Sequence, residues 1–163
     1  MSKKLNLAMI NENVKKYDEK EKITLSDGNY TYIYPNFAPS KIREVIKESL
    51  MDFEKAKNAG IDFSGINLPD WLFMNIIRHF ADLNIPNDIK KKSQIFIKLV
   101  DSDYFAEIIQ SFPSSSLDKV TELLTVTSKN LEEMNKNKVN ETTIDKIVDK
   151  AIDSSDEKDT PLQ

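Results

Sequence analysis

The chain has no cysteine, a single histidine (His79) and only three glycines. The missing cysteine excludes disulfides and thiolate metal sites, and it fits a reducing compartment. With one histidine and so little glycine, the usual parts of hydrolytic, metal-dependent and nucleotide-binding sites are nearly absent. A binding or assembly protein is therefore expected rather than an enzyme, with no cofactor. No stretch reaches the ~20 apolar residues needed to span a bilayer. The basic start, Met1-Ser2-Lys3-Lys4, is not followed by the apolar run of a signal peptide, so a cytoplasmic protein is expected.

What is present is mostly helical pattern. The 163 residues are 39% hydrophobic and 31% charged, which suits one modest core with solvated ends. The net charge of -4 is too small for a polyanion-binding surface over the whole molecule. The segment from Glu141 to Gln163 carries seven acidic residues against three lysines, so the rest of the chain is balanced. Short lysine clusters occur at Lys3-Lys4, Lys15-Lys16 and Lys90-Lys91-Lys92. The triplet is read as a solvated helix face, with a phosphate or acidic-partner contact as the less favoured alternative.

Residues 1–21 read as a flexible arm or short helix. From Ile23 to Tyr34, β-branched and aromatic residues flank Asp27-Gly28, a pair that tolerates the positive φ of tight hairpin turns. A lone hairpin is marginal in water, so this one must pack on helices or pair with another chain. Ser40 is the expected N-cap of a long helix with Ile42, Val45, Ile46, Leu50 and Phe53 on one stripe. Gly60 ends that helix, and Pro69 with Asp70 opens the next. This helix, Trp71 to Leu83, is apolar around most of its circumference and belongs at the centre of the fold or under a partner.

Asn87 is the expected cap of a third helix, and Ser102 starts a short fourth ended by Pro113. Ser115 and Asp118 have a capping-box-like spacing at the head of a fifth, with Leu117, Val120, Leu124, Thr127 and Leu131 inward. The fold class is thus mainly α: an N-terminal β-hairpin packed on a bundle of four to five short helices, with flexible ends. The domain spans residues 22–134. Residues 135–163 hold a polar linker, a short amphipathic helix (Ile144, Ile147, Val148, Ala151 and Ile152) and an acidic tail disordered from Ser154.

Three patterns bear on chemistry. Asp82 follows His79 by three residues and could orient it as a base, but no nucleophile is tied to the pair, so an ordinary helix-surface or partly buried histidine is expected. Asp101-Ser102-Asp103 lacks the glycine and terminal glutamate of an EF-hand-type loop and is read as helix capping. The aromatics say more. Tyr30, Tyr32 and Tyr34 alternate and share one strand face, while Trp71 and Phe73 open the apolar helix. Core packing is the ordinary role of such rings, and a partner-facing site is the alternative. The residues placed on that partner-binding surface are Tyr32, Tyr34, Trp71, Phe73, Ile147 and Ile152, with no catalytic or metal site.

The element order, with Ile76-Ile77-Arg78-His79-Phe80-Ala81-Asp82-Leu83-Asn84-Ile85-Pro86 and Leu99-Val100-Asp101…Phe105…Ile108…Phe112-Pro113, resembles the small tail assembly chaperones of long-tailed phages of Gram-positive bacteria. The likeness covers residues 22–134. It implies a host-cytoplasm protein that binds the tape measure protein, a long helical and aggregation-prone chain, and keeps it soluble during tail-tube assembly. No functional residue is carried over from that family. Self-association is compatible with this role. Two other classes remain: a small acidic inhibitor of a host or phage enzyme, and a DNA-associated accessory protein using Lys90 to Lys92.

Overall fold

The computed structural model describes residues 1–134 and 141–158. Its elements are α1 (Leu7–Val14), a 3-10 turn (Lys15–Asp18), β1 (Glu21–Thr24), β2 (Tyr30–Ile33), α2 (Pro39–Asn58), α3 (Leu68–Phe80), α4 (Ile89–Asp101), α5 (Tyr104–Ser111), α6 (Ser114–Glu133) and α7 (Glu141–Lys158). The architecture is mainly helical with a two-stranded antiparallel hairpin, as the sequence pattern predicts.

The hairpin pairs Glu21 with Ile33 and Thr24 with Tyr30. Leu25 N–H to the Asn29 carbonyl (2.8 Å) extends the ladder, leaving Ser26-Asp27-Gly28 as a three-residue loop. Gly28 has φ 85°, the left-handed bulge residue that such loops require. Period-two alternation sends Thr31 and Ile33 inward and Tyr30 and Tyr32 outward. The inner edge of β2 is closed from within the chain. Tyr34 N–H donates to the Phe80 carbonyl and Asp82 N–H to the Tyr32 carbonyl, both at 2.8 Å, around an Ile33–Ala81 bridge. The extended segment after α3 thus covers one side of the hairpin, and Ile33 is fully buried.

Several helix starts differ by a residue or two from expectation. Pro39, with φ preset for a first helical turn, starts α2 one position ahead of Ser40. Asp88 rather than Asn87 caps α4, its carboxylate accepting from Lys91 N–H at 2.9 Å, because α4 begins at Ile89 and Asp88 is the residue just before it. Ser102 closes α4 through its hydroxyl on the Leu99 carbonyl (2.6 Å), and α5 begins at Tyr104. Ser115 makes no cap bond on α6; the neighbouring Ser116 instead donates to the Pro35 carbonyl at 2.6 Å. At the end of α2, Gly60 (φ 70°) donates to Lys57 and Ile61 to Ala56, a Schellman closure.

The main core joins Ile33 and Phe37 to Ile42, Val45 and Ile46 of α2, Leu72, Ile76, Ile77 and Phe80 of α3, Ile108, Phe112 and Val120. Phe37 stacks on Phe80 with centroids 3.8 Å apart and meets Phe112 edge-on. Ile144, Val148 and Ala151 of α7 belong to the same core, so the stripe that needed a docking partner finds one in α2 and α6 of its own chain. Lys47–Asp145 (2.6 Å) and Arg43–Asp149 ion pairs link α2 to α7. The helix α7 spans Glu141–Lys158. The expected linker from residue 135 to 140 and the last residues, 159–163, lie outside the described residues. The arm expected at residues 1–21 carries α1, capped by Asn6 accepting from Met9 N–H.

Candidate functional site

The outer face of the hairpin is the main exposed aromatic surface. Tyr30 is 58% exposed and Tyr32 38%, their rings edge-on with centroids 6.0 Å apart. Lys22 Nζ lies 4.1 Å from the Tyr30 ring centroid, and Lys20 Nζ lies 5.4 Å from that of half-buried Tyr34. Hydrogen bonding with Tyr34 and the charge of Asp82, 3.5 Å away, raise the Lys20 ammonium above its ordinary value. The face is therefore aromatic with a cationic border.

The hairpin is held rigidly at its tip. Tyr104 of α5 donates its hydroxyl to Asp27, and Asn29 Nδ2 donates to the same hydroxyl at 3.3 Å. The Ser26 hydroxyl and N–H donate to the two Glu107 oxygens at 2.5 and 2.8 Å. The Tyr104 hydroxyl, with Asn29 N–H, holds the Asp27 carboxyl below its usual range, and Asp27 raises the phenol in turn. A backbone held in advance loses less entropy when its surface binds.

The remaining expected surface residues fall elsewhere. Trp71 is fully buried, with rings of Phe63 and Phe96 at 4.7 and 5.1 Å and its Nε1–H donating to Asp52 (3.0 Å). Placing Trp71 on a partner surface is thus corrected: the ring is too large to leave in water when Phe63, Phe96 and Met74 can enclose it. Ile147 is likewise buried, because α7 folds onto its own domain, and half-buried Phe73 and Ile152 pack against the main core. The six residues do not form one surface; Tyr32 and Tyr34 share the hairpin, joined by Tyr30.

Beneath α2, α3 and α4 lies a polar network that the sequence pattern does not reveal. Lys92, the last of the lysine triplet, is fully buried and donates to Glu48 (2.5 Å) and Asp52 (2.6 Å). This corrects the solvated-face reading for one lysine of the three. The signal was its spacing four residues before Phe96, the other buried side chain of α4. Arg78 donates to both Glu48 oxygens (2.8 and 3.0 Å) and to the Ile85 carbonyl.

His79 Nε2 lies 2.6 Å from Glu48 Oε2. An ionised carboxylate only accepts, so the Nε2 proton points to Glu48 and the nearby Arg78 nitrogen is a contact, not a donor to it. Burial acts to raise the Glu48 carboxyl, but hydrogen bonds and charge from His79 and Lys92 prevail and hold it at about 2. Asp82, which the less favoured reading placed beside His79, pairs with Lys20, and His79 is partly buried as expected. Asn75 Nδ2 donates to Ser49 (2.9 Å), extending the network around Asp52, in which Asp52 Oδ1 and Asn75 Oδ1 are buried without a hydrogen-bond partner among the described residues. A cleft of about 370 Å³ opens beside it, lined by Met51, Lys55, Arg78, His79 and Asn87 among others. Among the described residues, no group of three or more acidic, histidine or cysteine side chains is placed to hold a metal ion.

The YomO family model matches residues 7–160, from α1 through the last turn of α7. The chain belongs to the YomO family. It is 44% identical over 149 residues to the SPbeta prophage-derived protein YomO of Bacillus subtilis (strain 168), covering 90% of each chain. Phage affiliation therefore stands at the level of the YomO family. No solved structure matches this fold significantly. No helix among the described residues is long and apolar enough to cross a membrane.

Proposed function

We propose that this chain is a non-enzymatic phage tail assembly chaperone, whose client is a helical segment of the tape measure protein. The observation that carries the reading is the exposed Tyr30–Tyr32 face on a hairpin fixed by Tyr104 and Glu107. Tyrosines at an interface bury large area at low entropy cost, and a cationic border suits an amphipathic helix with acidic flanks. Kinship with a prophage-derived protein supports a phage context. His79 and Glu48 bond to each other and to Arg78 and Lys92, which supports a structural role for them.

The test is copurification of tagged wild-type chain with fragments of the tape measure protein from the same genome, at low and high salt. Capture of predicted amphipathic segments by wild type, lost in Tyr30→Ala/Tyr32→Ala, supports the reading. Failure to capture any fragment sinks it and favours a small acidic inhibitor of a host or phage enzyme.

A further inference from the structure

The outer side of β1 is the open edge of the hairpin. The Leu25–Asn29 bond sets the phase of the ladder, so Ile23 bonds to Thr31 and Glu21 to Ile33. Lys22 and Thr24 therefore point their main-chain N–H and C=O groups away from β2, where they meet no partner among the described residues. The far edge of β2 is closed by the segment at Ala81 and Asp82. Little blunts the open edge: β1 has no proline, and Lys22 lays its ammonium 4.1 Å from the ring centroid of Tyr30 in its own sheet. Such a row of donors and acceptors is satisfied by an extended strand, not by a helix or a lipid surface.

We propose that β1 pairs antiparallel with β1 of a second copy of this chain, about a two-fold axis at Ile23. Self-complementarity of the edge selects this occupant. Lys22 and Thr24 of one copy exchange main-chain bonds with Thr24 and Lys22 of the other, and each lysine stands opposite a neutral threonine. On the face towards the core Ile23 meets its own copy, a pair of β-branched side chains. Neighbouring registers fail. Centring on Glu21 or Lys22 sets like charges directly opposite, and centring on Thr24 or Leu25 needs the Ser26 N–H, which already donates to Glu107 at 2.8 Å. Pairing joins two hairpins into one sheet, which removes the weakness of a lone hairpin. Lys22 and Thr24 share the outer face with Tyr30 and Tyr32, so the tyrosines of both copies come to lie on one continuous surface. The pairing needs no client, so it stands or falls apart from the chaperone reading.

The chain has no cysteine, so single cysteines at exposed positions report the register. Lys22→Cys chains mixed with Thr24→Cys chains and mildly oxidised should form the mixed disulfide at least about tenfold faster than either like pair, since only the mixed pair stands directly opposite, with Cα atoms roughly 5.5 Å apart. Sedimentation equilibrium of the full wild-type chain, taken into the millimolar range, should show monomer passing to dimer. Thr24→Pro removes an outward donor where an edge strand tolerates proline, and it should raise the Kd at least about tenfold. Thr24→Val keeps that N–H and should leave the Kd unchanged. Matching far-ultraviolet spectra show that the variants are folded. A wild-type chain that stays monomeric throughout overturns the proposal, as do like-pair disulfides that form as fast as the mixed one, or a dimer that Thr24→Pro leaves intact. A monomeric wild type that still captures tape measure fragments would overturn the pairing and leave the chaperone reading in place.

Discussion

Lys92 of α4 donates to Asp52 of α2 across 2.6 Å with both side chains fully buried, the innermost link between the two helices. Glu48 shares the same ammonium at 2.5 Å, so one cation sits between two carboxylates that would otherwise repel each other. Removing one member of a buried pair leaves the others unpaired in low dielectric, which costs about 3–5 kcal/mol. Lys92→Met is expected to lose that much, read as a lower urea midpoint. Lys90→Met and Lys91→Met, on exposed positions, should stay within about 0.5 kcal/mol of wild type.

Acid should find the same network. Folding depresses the Glu48 carboxyl from its ordinary 4.5 to about 2. A depressed carboxyl stabilises the fold fully above the unfolded value and loses that contribution as pH falls through the folded one. Stability should therefore drop between about pH 4.5 and 2, by up to about 3 kcal/mol from this group. Urea titrations at stepped pH check it: Glu48→Gln should be less stable at neutral pH and show a shallower acid limb.

The hairpin tip gives a prediction of smaller size. Tyr104→Phe removes the hydroxyl between Asp27 and Asn29 at an exposed site, and should lower the unfolding midpoint only slightly. Gly28→Ala meets no atom within 4 Å of the added carbon, so its cost is the positive φ alone, about 1–2 kcal/mol. Thermal unfolding of the two variants separates latch from turn.

Binding and stability should divide between two aromatic sites. Tyr30→Ala/Tyr32→Ala should leave the fold within about 1 kcal/mol of wild type and weaken client binding tenfold or more. Trp71→Ala, in a closed aromatic cluster, should instead lose about 3–5 kcal/mol. Titration calorimetry with a client fragment, beside urea unfolding, shows which pair of effects occurs.

Much of this fold is legible in the sequence because local signals agree with the packing. Asp27-Gly28 marks the hairpin, Gly60 and Pro69 punctuate α2 and α3, and Ile42, Val45 and Ile46 recur where the core needs them. What the pattern hides depends on distant residues. Lys92 looks solvated beside Lys90 and Lys91, and only Glu48 and Asp52, forty or more positions away, make its burial tolerable. Trp71 looks partner-facing at a helix start, and only Phe63 and Phe96 show that the chain encloses it. Ile147 needed a docking surface, and helical spacing alone does not say that α2 and α6 supply it.

The hairpin face is proposed to hold a helical client. The most direct measurement is the soluble fraction of the tape measure protein from the same genome, co-expressed with no partner, with wild type, or with Tyr30→Ala/Tyr32→Ala. The tape measure protein should be soluble with wild type and lose that solubility with the variant, while the variant itself stays folded and soluble. A tape measure protein equally insoluble in all three cases, or equally soluble with both forms of the chain, would contradict it.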